Sequence, residues 1–388
     1  MDIAIIVVYL VAMVVVGLWA ARRASSTEDY RVAGRRLGPL FYTGTMSAVV
    51  LGGASTVGGI GLGYTYGISG MWLVMAIATG LLVLSLVFAG RITRLKIYTV
   101  SLVAVGGWSG MSDRLDATFF APDAMGFQSI IAMFVIYGFG MLIGQDIWQR
   151  VFTARSAGVA RWGGTSAAVH VGLYGVAGAV IGMAAAAVLP TLENSDDAFA
   201  IMAQQHVPAG LGGVVLAAGV AAMMSTASGA LIASATVARV DVVPLFKTLV
   251  TGQQNSRPSV RGDRLYLLTF GVVVTVFSVL VPDVVTALTI AYDLLVGGLL
   301  VAILGGLLWR RGNSLGAAAS MAAGSVAVVV GMLAFGVMAN APIYIGLGVS
   351  AVVYVVVSLS TRPTDPAVLG AWDRRLAGQS GDSVGEHA

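Results

Sequence analysis

The sequence predicts an all-α polytopic membrane protein, and three observations carry that prediction. Apolar residues make up 57% of the 388 and charged residues only 10%, whereas soluble domains carry roughly 25% charged residues. Apolar runs of about 20 residues recur along the whole chain, each long enough to span roughly 30 Å of hydrocarbon. Lys and Arg fall in short segments between those runs and alternate with acidic or neutral segments, as expected of loops that lie on alternate sides of a bilayer. The 51 glycines agree with this reading, because membrane helices use glycine for close packing.

Taken in order, apolar spans are expected at about 3–21, 39–62, 67–90, 126–144, 163–189, 207–238, 265–282, 284–308, 314–338 and 342–360, about ten in all. The first has Asp2 before it and Arg22-Arg23 after it, with no basic lead-in of the kind that marks a cleaved signal, so an outside N-terminus is expected. Residues 1–365 are expected to form a single transmembrane domain. The polar, Gly- and Ser-containing segment 366–388 is expected to be a disordered cytoplasmic tail.

The basic segments fix the sides. Arg22, Arg23, Arg31, Arg35 and Arg36 share one loop, and Arg91, Arg94 and Lys96 share the next. Arg150, Arg155 and Arg161 follow, then Arg239, Lys247, Arg257, Arg261 and Arg264, and Arg310-Arg311 with the tail bases complete the cytoplasmic set. The segments between them, such as Glu193-Asn194-Ser195-Asp196-Asp197 and Asp283, are expected outside. One conflict arises. Segments 91–96 and 145–162 both read as inside, yet only 126–144 is a clear span between them. Either 97–112 crosses as a short, glycine-weakened span or something is missing there.

Several function classes drop out. Cysteine is absent and histidine is limited to His170, His206 and His387, so there is no disulfide, no thiol nucleophile and too few ligands for zinc or iron. The basic residues form no patch of the kind a nucleic acid needs. No phosphate-binding loop, His-Glu-x-x-His element or nucleophile–base pair is present, so neither an enzyme nor a resident cofactor is expected.

Two segments carry chemistry beyond hydropathy. Ser47 to Gly61 places five glycines with Ser55 and Thr56 in mid-span, poor material for a continuous helix because glycine costs about 1 kcal/mol per residue there. A broken helix would aim its freed carbonyls at a cation, while a small-residue packing face is the alternative use of the same glycines. The second segment runs Ala221-Ala222-Met223-Met224-Ser225-Thr226 and on to Asp241. The oxygens of Ala222, Ser225 and Thr226 share neighbouring parts of one helix surface and suit a hard cation. Hydroxyls in membrane helices also bond back to their own helix or join spans.

With their surroundings these segments resemble the sodium:solute symporter family. Ser26 to Gly38 looks like that family's Asp-Tyr-x-x-Ala-Gly-Arg element, and Gly63-Tyr64-Thr65-Tyr66-Gly67 looks like the exit of its broken helix. Asp146 to Val151 resembles its Gln-Arg loop, Ala221 to Asp241 its sodium-site helix, and Gly305 to Arg311 the end of a core span. These elements cover most of residues 3–362 in the family's order. The resemblance implies a leucine-transporter-like bundle of two inverted repeats. It also implies sodium-coupled symport of a small organic solute by alternating access, with sodium as the coupling ion, in the plasma membrane. Carried over residue by residue, the sodium ligands are the carbonyls of Leu51, Ala54 and Ala222 and the hydroxyls of Ser225 and Thr226.

The chain departs from the family at one place. Arg94 to Val100 runs directly into Ser101 to Gly107, which resembles the outer end of the fifth core helix. About three spans are absent between Val100 and Ser101, leaving an incomplete first repeat, and restoring them makes the crossings between the two inside loops even. The alternative reading is therefore a shortened homologue that does not transport, either without independent activity or with a regulatory or association role. Ser55, Thr56, Gln128 and Asp293 are the candidate solute-binding residues. Asp293 is the acid placed well inside a span, a position that points to function, although it could equally sit near the interface. His170 reads as a helix–helix hydrogen-bonder.

Overall fold

The computed structural model describes residues 2–23, 37–88, 107–208, 210–244, 260–281 and 283–376. Among these residues the chain is nearly all helical, with no strand beyond an isolated bridge between Leu37 and Ala154. The Val100–Ser101 junction, most of the first cytoplasmic loop and the segment 91–96 lie outside the described residues.

Six described helices are long and apolar enough to cross a membrane: Ala54–Val83, Ala157–Val188, Leu211–Val240, Val284–Leu308, Ser314–Phe335 and Ala341–Ser360. The pair Phe127–Ile143 and Gln145–Thr153, bent by 46°, would make a seventh. The stretch Ala54–Val83 is not one straight span. Its chain turns at Gly67, where φ is +64°, a conformation open to glycine and strained for other residues. Gly70 then packs back on Gly63, where a Cβ would lie 2.4 Å from the Gly63 nitrogen.

The chain divides into two compact units, Met1–Leu288 and Thr289–Ala388, the division falling inside the helix Val284–Leu295. In the first unit the long helix Ala157–Val188 is the spine. It starts at Ser156, whose hydroxyl caps the Val159 amide at 3.2 Å, and packs against Pro39–Val50, Gly59–Tyr66 and Trp72–Phe88. Its approach to Gly59–Tyr66 is backbone on backbone: a Cβ at Gly182 would sit 2.3 Å from the Ile60 oxygen and 2.5 Å from the Tyr64 nitrogen. Gly182→Ala is therefore expected to destabilise the protein by about 1–3 kcal/mol, since rigid backbone cannot yield as a side chain does. At Gly172 of the same helix the nearest atoms stand off at 3.5 and 3.8 Å. Gly172→Ala should be neutral or stabilising by up to about 1 kcal/mol, the helix propensity of alanine over glycine. Thermal unfolding of the two variants side by side checks the contrast.

In the second unit Ser314–Phe335 and Ala341–Ser360 pack as a pair. The preceding span joins them through a wide turn at Val296–Leu300. The end of that span beside Arg310-Arg311 is tied down by Asn313. The Asn313 Oδ1 caps the Gly316 amide at 2.8 Å, while its Nδ2 donates to Thr361 Oγ1 at 2.7 Å and to the Arg362 carbonyl at 2.9 Å. The tail is corrected in part. Where a disordered segment is expected from 366 onward, Pro366–Leu376 is a helix. Pro366 opens it and the Asp365 carboxylate accepts from the Ala367 amide at 2.7 Å, a Pro–Asp start that the polar composition conceals.

Candidate functional site

The glycine-rich segment does interrupt its helix. Pro39–Val50 ends at Leu51, whose φ and ψ of −79° and 57° leave the helical region, and a wide π turn at Ala54–Gly58 resumes the helix. Side chains close the defect from within. The Ser55 hydroxyl donates to the Val50 carbonyl at 2.6 Å and lies 3.3 Å from that of Gly52. The Gly59 amide donates to the Ala54 carbonyl. Irregular backbone at membrane depth persists where protein groups satisfy it.

The helix Leu211–Val237 meets this break with one face. Thr226 Oγ1 donates to the Val49 carbonyl at 2.8 Å. A Cβ on Gly52 would lie 1.9 Å from that same Oγ1, and one on Gly53 would lie 3.1 Å from Met223 Cγ. At Gly229, one turn further, a Cβ would meet Val49 Cγ2 and an Arg150 guanidinium nitrogen, both at 3.1 Å. Thr226 and the broken helix are thus brought together. Ser225 sits beside Thr226, half-buried, its carbonyl accepting the Ser228 hydroxyl at 2.9 Å. Ala222 lies one turn earlier on the same helix.

The candidate solute residues have different surroundings. Ser55 is fully buried with its hydroxyl engaged as above. Thr56 Oγ1 pairs with the Tyr174 hydroxyl of the long helix at 2.8 Å. Gln128 is exposed at the start of Phe127–Met133. Asp293 is fully buried and belongs to the second unit. Tyr174 is a neighbour that the motifs left unassigned, and Arg150, read only as part of the Gln-Arg loop, is another without an expected site role. A lone Tyr amid the glycines and alanines of 163–189 was the available signal for the first.

Arg150 stands on the short helix Gln145–Thr153, in the segment expected at the cytoplasmic side. Burial pushes its guanidinium down from its ordinary value, countered by the Asp146 charge. Burial pushes the Asp146 carboxyl up, countered by amide hydrogen bonds and Arg150. The guanidinium keeps a positive charge beside Gly229, one turn from Ser225-Thr226.

At the other end, the acidic loop expected outside is clamped onto the broken helix. The Tyr64 hydroxyl donates to the Leu189 carbonyl at 2.8 Å and accepts from the Leu192 amide at 3.0 Å. Asp196 accepts from the Val284 amide at 3.1 Å. Burial, with Asp283 and Asp197 adding repulsion, holds its carboxyl above the ordinary value despite the Val284 amide. A raised carboxylate in the folded state contributes stability that is present below its unfolded value and lost as pH rises through its folded value. Unfolding temperature should therefore fall as pH rises through that window. Asp196→Asn, which keeps an acceptor for Val284, should remove this slope. The gain at neutral pH should stay under about 1 kcal/mol, since solvent screens a half-exposed carboxylate.

A sequence model of the sodium:solute symporter family matches residues 109–324. Among solved structures, a sodium-coupled sialic acid symporter in a substrate-bound outward-open state matches with a TM-score of 0.65 and 16% identity. That match covers 94% of this chain and 98% of the other. No curated protein matches the sequence.

Proposed function

Because the chain belongs to the sodium:solute symporter family, a family of transporters rather than enzymes, we propose that it carries a small organic solute across the plasma membrane by alternating access, driven by sodium bound between the broken helix and Ser225-Thr226. The multi-pass membrane character and the leucine-transporter-like fold agree with this. The observation that carries the reading is the Thr226–Val49 contact across the Gly52 break. It puts a hydroxyl of the second motif against the irregular backbone of the first, where the family resemblance places the carbonyls of Leu51 and Ala54. Neutral oxygens suit a monovalent cation that must bind and leave within a cycle. Sodium joining the two helices would favour whichever conformation brings them together, by no more than its difference in affinity between states.

One observation favours the second reading, a shortened homologue without independent transport. Only 17% of the most apolar window of Leu211–Val240 is buried among the described residues, against 44% for the long helix. Met223, Met224, Ala227 and Ser228 are exposed beside the proposed ligands. Purified protein in liposomes with an inward sodium gradient separates the readings. Sodium-dependent uptake from a panel of amino acids, sugars and carboxylates supports symport. Sodium binding without uptake of any of them supports the shortened homologue. Absence of both sinks the sodium site itself.

A further inference from the structure

Asp293 has no part in the proposed sodium site. It lies ten residues after Asp283, inside the span Val284–Leu308, and its relative exposure is 0%. Neither carboxylate oxygen has a hydrogen-bond partner among the described residues. It belongs to a buried stripe of Thr289, Asp293, Val296 and Leu300, spaced as one face of a helix. The wide turn that follows packs against Ser314–Phe335 and Ala341–Ser360. Those two helices contribute no Lys, Arg, His, Asp or Glu; their titratable groups are Tyr344, which is exposed, and Tyr354, which stands against Gly305 and Gly312 at the far end of the span. On its own helix the adjacent titratable group is Tyr292, which keeps an interaction of its own.

Among the described residues a bare carboxylate so placed lacks both a counter-charge and a donor, the arrangement that buried charge tolerates least. Sodium would not relieve it well, because a hard cation needs a shell of oxygens and no donor or acceptor among the described residues stands within hydrogen-bond distance of the carboxylate. A proton needs no shell. We propose that Asp293 is a proton site: its carboxyl holds a proton in this conformation and releases it to water in another, making the proton a second ion carried by the protein. The step is a simple dissociation, with the proton leaving to water and the negative charge remaining on the carboxylate. The protonated state does not depend on the symport reading. Only its consequence for coupled transport rests on the symport reading.

Infrared spectroscopy of the purified chain in lipid nanodiscs tests this without a solute. The expected result at neutral pH is a protonated-carboxyl stretch that shifts in heavy water, shifts again with carboxyl-13C aspartate, and is lost in Asp293→Asn. Asn resembles the neutral acid in shape and charge, so the variant should unfold at a temperature close to that of the original protein. If Asp293→Asn fails to fold, the labelled unsubstituted protein still decides whether a buried aspartic acid is protonated. No labelled-aspartate band at neutral pH overturns the proposal, as does a band that persists unchanged in Asp293→Asn. Binding of radioactive sodium supplies the other arm. Loss of sodium binding in Asp293→Asn at high pH would show a sodium ligand instead and overturn the proton site. Unchanged sodium binding together with the lost band supports it, whatever becomes of the Ser225-Thr226 site.

Discussion

Removing the Thr226 hydroxyl should weaken sodium binding at least about tenfold, and removing Ser225 with it should bring binding to the detection limit. A tenfold loss corresponds to about 1.4 kcal/mol, within the range expected when a partner of a buried hydrogen-bonded group is deleted. Thr226→Val is the sharper variant because it keeps the branched shape that fills the space beside Gly52 while removing Oγ1. It also leaves the Val49 carbonyl without the donor it has at 2.8 Å, so some loss of stability is expected even without sodium. Thr226→Ser restores the hydroxyl and should recover most of the affinity. Two measurements separate the roles: radioactive sodium binding, and unfolding temperature with and without sodium. A ligand role predicts that the stabilisation by sodium disappears, as mass action requires. Sodium stabilisation that survives in Thr226→Val would leave Thr226 a packing residue and count against the proposed site.

Gly52→Ala is expected to be the most disruptive single-methyl change in the broken helix. The added carbon would stand 1.9 Å from Thr226 Oγ1 and 2.5 Å from Thr226 Cβ. Threonine is short and branched, so the clash cannot be relieved at the far end of a flexible chain. Rotation about χ1 would give up the bond to Val49. Overpacking of this kind costs about 1–3 kcal/mol and sometimes more, and here it falls on the contact between the two helices of the proposed sodium site. The expected outcome is loss of sodium binding with a lowered unfolding temperature. Gly52→Ala combined with Thr226→Ala should recover stability without recovering sodium binding. A double variant no more stable than Gly52→Ala alone would show that Gly52 is needed for its backbone freedom rather than for the closeness of Thr226. Gly53→Ala, with Met223 Cγ at 3.1 Å, offers a milder comparison because a methionine can move.

Much of the membrane architecture was legible along the chain. Hydropathy marked helices now seen at Ala157–Val188, Leu211–Val237, Ser314–Phe335 and Ala341–Ser360, displaced by a few residues at their ends. The glycine run left a broken helix and a packing face both open, and the interruption at Leu51 decides for the first, while the segment Gly63–Gly67, expected as the exit of the broken helix, ends in the turn at Gly67. The ten-span count does not follow from the described residues, which hold six helices of sufficient length and apolarity. The tail was misread over Pro366–Leu376 because average polarity outweighed a local helix start.

Local sequence determined the membrane class, the helices, the position of the break and the family elements, since hydropathy, glycine and proline act on a residue's own neighbourhood. Which polar groups face one another was decided only in three dimensions. Thr226 meets Val49 across 177 residues of chain, and Thr56 meets Tyr174 across 118. The same holds for Ser55, whose hydroxyl closes the helix break, and for Asp293, whose carboxylate has no hydrogen-bond partner among the described residues. A polar side chain in an apolar run can face a neighbouring helix, a cavity or the interface, and sequence spacing leaves these choices open. The choice depends on how each helix is rotated, and that is fixed by close packing of small residues from distant parts of the chain.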